Sequence, residues 1–340
     1  MDETDQRWHG GLLIVASAAA FSLAGFFTRL IALDAWTMLF WRGLFGGLFI
    51  AGCIVWHYRR ATWAAVRAVG GAGLAAAACS TLATICFINA LRRTSVADVM
   101  VINATTPFVT AAIAWLWTAE RETRVTLLAS VAALVGVAVT FDAAMPAGHL
   151  FGNVLALAMT ILISMMMVII RKRRETPMLP AACLSAFAVA VLVLPLAHPG
   201  AGLGPELPYL ALFGVAQFGL GLLLLTLGTR LISATRSALI GSLETPLAPL
   251  WVWLAFGEVP PLMTCIGGAI VMAAVAADIV LNKAPGNGTN GARPTFVTSD
   301  PFRAFVARIP PTFRRIIGGC WRQGRHGKGG RDEKRLVRPA

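Results

Sequence analysis

The sequence predicts an all-α, polytopic membrane protein with ten transmembrane helices. Hydrophobic residues make up 57% of the 340 residues and charged residues only 13%, whereas a soluble domain is about one quarter charged. The apolar residues fall in separate runs of roughly twenty, the length that an α-helix needs to cross about 30 Å of hydrocarbon. A chain of this composition has too little polar surface to cover a soluble globule.

Each predicted helix is an apolar run that ends at charges, at Gly/Pro clusters or at interfacial aromatic residues. The first run follows an acidic segment, residues 1–9, and is long, so we expect a membrane span there instead of a cleaved signal peptide. The seventh run is interrupted by Pro195. The predicted spans are residues 10–30, 35–56, 69–90, 97–117, 125–141, 150–170, 179–196, 208–227, 237–256 and 263–281.

The distribution of Lys and Arg predicts that both termini are cytoplasmic, because inner loops carry the excess of positive charge. With this orientation the outer loops contain only Arg29, Arg92 and Arg93. The inner segments before residue 282 contain Arg7, Arg59, Arg60, Arg67, Arg121, Arg124, Arg171, Lys172, Arg173, Arg174, Arg230 and Arg236. We therefore expect an integral, multi-pass protein of the plasma (inner) membrane.

An internal repeat divides the ten spans into two halves, residues 10–141 and 150–281. The segment SVADVMVINATTP ends at Pro107 and is followed by an aromatic-rich run and Glu120; ATRSALIGSLETP ends at Pro246 and is followed by a similar run and Glu258. The two prolines lie 139 residues apart, a distance that covers five spans. Because five is odd, the second copy enters the membrane from the opposite side, as in the inverted repeats of secondary transporters.

These residues resemble the ten-span EamA group of the drug/metabolite transporter superfamily. The resemblance rests on the small-residue stretch, the proline and the trailing glutamate in residues 94–120 and 233–258, and on the arginine in Phe40-Trp-Arg-Gly43. It covers roughly residues 10–281. The resemblance implies a substrate cavity between the halves, alternating access, and export of small metabolites such as amino acids.

Arg42 and Glu244 lie well inside spans two and nine, where ionisable groups are costly and invite a functional hypothesis. A guanidinium at that depth needs carbonyls, a carboxylate or an anionic substrate as its partner. Alternatively, Arg42 snorkels to the outer interface or clamps loop backbone.

A carboxylate at the depth of Glu244 suits proton coupling or amine binding, because loss of water penalises its charged form. Alternatively, Glu244 is a neutral or Arg-paired group within the helix packing.

Further polar residues precede the two prolines, and we predict that they line a substrate site: Asn103, Thr105 and Thr106 in span four and Ser242 in span nine. Pro107 and Pro246 are predicted hinges, because proline removes a backbone donor and frees a carbonyl one turn back. Polar backbone at mid-membrane is tolerated only beside protein or a wet cavity. The alternative is a packing kink capped by Ser and Thr side chains.

Other candidates have mainly structural interpretations. Glu120 and Glu258 are interpreted as anchors at helix ends, and Asp98 as part of a capping box with Ser95. Aromatic residues of the spans are expected mostly at lipid-facing or interfacial positions, although some could line a cavity: Phe21, Phe26, Phe27, Phe87, Trp115, Trp117, Phe218, Trp251 and Trp253.

The basic tail, residues 282–340, accounts for most of the formal net charge of +13. Apolar residues recur there at helical spacing among arginines, a pattern typical of short interfacial helices that contact anionic lipid. Plain disorder is the alternative. The charge thus indicates the cytoplasmic side of the membrane, and we expect no nucleic-acid partner.

The sequence as a whole predicts a secondary transporter with a small-molecule substrate and, as one hypothesis, protons as coupling ions. A channel, or a drug or metabolite permease without proton coupling, is the alternative; a membrane-embedded enzyme is less favoured because no nucleophile and base set occurs. We expect no cofactor and no metal.

Overall fold

The computed structural model describes residues 3–91, 93–94, 96–119, 122–140, 150–173, 176–200, 204–257 and 259–281. Within these ranges every regular element is a helix, which confirms the all-α prediction. The predicted interfacial helices of residues 282–340 lie outside the described residues. The same holds for Glu120, Glu258 and the side chain of Asp98.

The first half of the chain contains eight α-helices, because several spans are divided. They are α1 Glu3–Ser22, α2 Ala24–Leu30, α3 Ala35–Tyr58, α4 Thr62–Arg67, α5 Gly70–Leu91, α6 Val96–Asn103, α7 Thr106–Thr118 and α8 Arg124–Thr140. Spans one to five correspond to α1 with α2, α3, α5, α6 with α7, and α8.

The second half repeats this order. Its helices are α9 Leu150–Lys172, α10 Leu179–Val193, α11 Leu207–Leu212, α12 Leu220–Leu231, α13 Ala234–Gly241, α14 Glu244–Phe256 and α15 Leu262–Leu281. Nine helical segments of the described chain are long and apolar enough to cross a membrane, and α8 is a shorter apolar helix. Together they give the ten helices that the sequence predicted.

Three predicted spans are divided into two helices instead of running continuously. Span four is divided between α6 and α7, and span nine between α13 and α14. Span one is divided at Leu23, where no proline occurs. There the hydroxyl of Ser22 donates to the carbonyl of Ala19 at 2.7 Å, a local bond that competes with the helical ladder.

Span eight also departs from a regular helix. Between α11 and α12 the chain forms a π-helical turn, Phe213–Gly219, packed on α3. A Cβ on Gly214 would lie 3.0 Å from the carbonyl oxygen of Arg42, so the two backbones approach more closely than a larger residue permits. π-Helical turns of this kind occur frequently at functional sites.

The two halves interleave instead of forming separate lobes. The most extensive interfaces join α5 to α9, α8 to α15, α3 to α10 and α1 to α12, and each joins the first half to the second. The α1–α12 interface is the repeat-equivalent of the α9–α5 interface, so the packing follows the internal repeat. Small residues permit these crossings: a Cβ on Gly136 of α8 would lie 2.8 Å from the carbonyl oxygen of Gly267 in α15.

Candidate functional site

The predicted polar residues of span four lie at the break between α6 and α7, and their hydroxyls bond to their own chain. Thr105 Oγ1 donates to the carbonyl of Ile102 at 2.6 Å. Pro107 has no amide to bond the carbonyl of Asn103, four residues earlier. The hydroxyl of Thr106 donates to that carbonyl and also contacts Asn103 Oδ1 at 3.2 Å. The carbonyl groups that the break in span four leaves free are thus hydrogen-bonded by side chains of the same span.

The break in span nine is built in the same way. Ser242 Oγ donates to the carbonyl of Leu239 at 2.6 Å. Pro246 lies in the first turn of α14, where a helix does not need the missing amide. The carbonyl of Ser242 instead accepts from the amide of Thr245 at 3.1 Å. These contacts match the interpretation of Ser and Thr as caps of a kink, and they occupy the hydroxyl protons of Thr105, Thr106 and Ser242.

Arg42 lies two turns into α3 and is held by residues of the π-helical turn. Its Nε donates to Gln217 Oε1 at 2.9 Å. Its guanidinium carbon lies 4.2 Å from the ring centroid of Phe218 and 5.6 Å from that of Phe213, within the range of cation–π attraction. The side chain therefore contacts protein groups of span eight.

Glu244 is the first residue of α14, and its side chain is exposed. Arg42 lies close enough to Glu244 for the two charges to attract each other. The structure thus brings together the two charged residues that the sequence singled out, from spans two and nine.

Two more hydrogen bonds extend this centre to the break in span one. Gln217 Nε2 donates to the carbonyl of Phe21 at 3.3 Å. Trp251 Nε1, on α14, donates to Ser22 Oγ at 2.8 Å. We call the following set the polar centre: Ser22, Arg42, Gln217, Phe218 and Trp251, which make these contacts, and Glu244, which lies within electrostatic range of Arg42. It combines one positive charge, one negative charge and two aromatic rings.

The divided spans four and nine pack against each other differently at the two ends of the helix bundle. At one end, the packed end, α7 lies against α13. At the other, the separated end, the equivalent helices α6 and α14 share no interface of comparable extent within the described residues. Burial follows the same division: α7 has Thr106, Pro107, Thr110 and Ala114 buried, whereas α14 has Val252. Glu244 thus lies beside a gap between α6 and α14.

A second charged cluster lies at the packed end. Arg236, in the first turn of α13, pairs with the fully buried Asp278 of α15 at 2.7 Å. Thr126 of α8 donates to the other carboxylate oxygen of Asp278 at 2.8 Å. Nearby, Ser233 donates to Glu122 Oε2 at 3.1 Å. This cluster ties α8, α13 and α15 together.

Sequence reasoning missed Gln217 and Asp278. Gln217 is the one amide within the apolar run Phe213–Gly219, and an uncharged side chain there is a weak signal in the sequence. Asp278 lies near the end of the tenth predicted span, where an acid resembles an interfacial residue, and its partner Arg236 lies just before the ninth predicted span. Of the aromatic candidates, Phe218 is buried in the polar centre, whereas Trp115, Trp117 and Trp253 are exposed.

A small apolar cavity lies between α5, α9, α10 and α12. Of its three polar side chains, two bond to their own helices: Ser185 to the carbonyl of Ala182 at 2.9 Å and Thr226 to that of Leu222 at 2.7 Å. Within the described part of the chain, no group of three or more potential ligands could hold a metal ion.

The fold and the site together define a multi-pass membrane protein in which two five-helix repeats enclose a charged and aromatic centre. Residues 8–142 and 150–277 each match the EamA-like transporter family. The chain belongs to this family and is a membrane transporter of the drug/metabolite type, which confirms the resemblance inferred from the two repeats. EamA is a family of transporters and not of enzymes.

Comparison with solved structures agrees with this assignment at the level of the fold. A crystal structure of a protein with 16% identical residues aligns with 81% of this chain and 99% of its own, at a TM-score of 0.66. The TM-score shows a shared fold, and identity this low carries no information on substrate. No curated protein matches the sequence.

Proposed function

We propose that this transporter exports small amphipathic metabolites such as amino acids across the plasma (inner) membrane by alternating access. The observation that carries the proposal is the guanidinium of Arg42 over the ring of Phe218, with the acidic side chain of Glu244 within electrostatic range. A guanidinium binds a carboxylate in a planar, bidentate manner, and a carboxylate binds an ammonium group. The centre thus offers complementary charges to a zwitterion and apolar surface to its side chain.

The difference between the two ends supports alternating access over a channel. With both termini cytoplasmic, the packed end lies on the cytoplasmic side, because α13 begins just after the inner-loop residue Arg230. The gap between α6 and α14 then opens to the outside, the state from which an exporter releases its substrate. A channel would need a continuous polar path, and the packing of α7 on α13 interrupts it.

In this transport cycle Glu244 is the residue that binds the coupling proton. The side chain is accessible at the gap and lies within electrostatic range of Arg42, so a proton and a cationic substrate group can compete for it. Asn103, Thr105, Thr106 and Ser242 line the site through their remaining acceptor capacity, and Pro107 and Pro246 serve as hinges. A drug or metabolite permease without proton coupling is the second candidate.

The test is transport by purified protein in proteoliposomes, with and without a proton gradient, over a panel of amino acids and small amines. We expect gradient-driven transport by the wild type and its loss in Glu244→Gln. Glu206→Gln, a change at the start of α11 away from the centre, is the matched control and retains transport. Gradient-driven transport by Glu244→Gln at the wild-type rate would remove Glu244 from the coupling role. A wild type indifferent to the gradient would favour the uncoupled permease.

A further inference from the structure

We propose that Gln217 is a positioning residue that determines preference for substrates with a carboxylate, because it orients Arg42. This inference rests on the proposed substrate site. Gln217 is 2% exposed and lies in the π-helical turn of span eight. It touches Arg42 directly, through the 2.9 Å bond from Arg42 Nε to its Oε1.

The side-chain amide of Gln217 has one orientation that satisfies both of its partners. The carbonyl of Phe21 can only accept, so it faces the amide nitrogen, Nε2, at 3.3 Å. The guanidinium of Arg42 can only donate, so it faces the amide oxygen. If the amide were turned over, its oxygen would face the carbonyl oxygen of Phe21, and its NH₂ group would face the guanidinium of Arg42. Neither contact could be a hydrogen bond. Gln217 is therefore a fixed acceptor for Arg42.

This contact decides which edge of Arg42 remains for a substrate. Gln217 occupies Nε, and Phe218 covers one face of the guanidinium. The edge formed by the two terminal nitrogens has the spacing that matches a carboxylate in a bidentate pair. Because Gln217 is neutral, it fixes the side chain without cancelling its positive charge.

The backbone on both sides of Gln217 packs closely against α3. Gly214 and Gly219 flank it in the π-helical turn, and a Cβ on either would lie within 3.2 Å of α3 backbone atoms, the carbonyl oxygen of Arg42 and the Cα of Gly46 respectively. The wide turn and the two glycines allow span eight to approach α3 closely. The short reach between Gln217 and Arg42 follows from that approach.

The experiment compares pairs of substrates that share a side chain and differ in the carboxylate: an amino acid and its decarboxylated amine. KM and kcat are measured in proteoliposomes for the wild type, Gln217→Glu and Gln217→Leu. Thr226→Val, at a buried position of α12 outside the polar centre, is the matched control. Melting temperatures of all variants accompany the kinetics.

We expect Gln217→Glu to raise the KM of the amino acid by about tenfold or more, because its carboxylate pairs with Arg42 and competes with the substrate. Gln217→Leu is expected to raise it less, since Arg42 keeps its charge and loses only its orientation. The KM of the amine stays within about twofold in both. Thr226→Val leaves the ratio of the two KM values unchanged.

The decisive quantity is that ratio, because a purely structural role changes both KM values together. Parallel changes for the amino acid and the amine in both Gln217 variants would overturn the inference and leave the proposed substrate class intact. A wild type that transports both members of a pair equally well would overturn the proposed substrate class, and the inference with it.

Discussion

The packed end and the separated end are built from equivalent helices, yet only one of them is closed. At the packed end α7 lies against α13, whereas at the separated end the equivalent α6 and α14 are apart within the described residues. The position that corresponds to Arg236 in the first repeat is Ala97. The repeat thus specifies the same helix layout twice, and the ion pair of Arg236 with Asp278 is a feature of the packed end.

At the packed end, Arg236 forms a buried ion pair that joins α13 to its neighbours. Asp278 is fully buried and accepts from Arg236 and Thr126, so α13 is attached to both α8 and α15. A buried ion pair contributes little net stability over a well-packed apolar pair, but removal of one partner is costly. Such a pair suits a contact that has to form in one state and break in the other.

The largest expected effect is on that ion pair. Asp278→Ala leaves Arg236 without its carboxylate inside the protein, and we expect a loss of about 3–5 kcal/mol in the free energy of unfolding. Unfolding in detergent or in nanodiscs, followed by tryptophan fluorescence, measures the loss. The double variant Arg236→Leu with Asp278→Leu is the control, and it recovers most of the stability. A melting temperature unchanged in Asp278→Ala would show that the pair does not hold α13 on α8 and α15.

A smaller effect is expected on the accessibility of equivalent positions at the two ends. Thr106 is 6% exposed, whereas its repeat counterpart Thr245 is only half-buried beside the gap. In a background without native cysteines, Thr245→Cys is expected to react with a membrane-impermeant thiol reagent about tenfold faster than Thr106→Cys, because reaction requires access. Mass spectrometry of the labelled protein gives both rates.

Equal labelling rates for the two positions would contradict the assignment of one open and one closed end. Addition of a transported substrate supplies a further control, because turnover exposes each end in turn. We expect the two rates to approach each other when the protein cycles.

The smallest effect is expected at the prolines. Pro107 and Pro246 each lie in the first turn of a helix, where the amide that proline lacks has no partner within that helix. Either Pro→Ala change is therefore expected to alter the free energy of unfolding by about 1 kcal/mol or less. If the prolines are hinges, kcat falls while KM is kept. A kcat equal to that of the wild type in both variants would reduce them to packing kinks.

Much of the fold could be predicted from the sequence because its determinants are local. Apolar runs define the spans, and the two Thr-Pro segments define the repeat. The breaks in spans four and nine follow from prolines. The break at Leu23 and the π-helical turn Phe213–Gly219 could not be predicted, because they depend on a serine side chain in one case and on contact with α3 in the other.

The candidate site was predictable in part for a similar reason. A charge inside an apolar run is visible in the sequence, so Arg42 and Glu244 were identified. Their surroundings were not, since Gln217 lies 175 residues from Arg42 along the chain. Asp278 and Arg236 were missed because each lies near the end of an apolar segment, where charge is ordinary.

The interleaving of the two halves has a consequence for biosynthesis. The first five spans are made before the helices against which they pack, α9, α10, α12 and α15, exist. During that interval Arg42 has neither Gln217 nor Phe218 beside it, and the glycine surface around Gly136 has no partner helix. The newly made first half therefore has to be held in the membrane, by lipid contacts or by the insertion machinery, until the second half emerges from the ribosome.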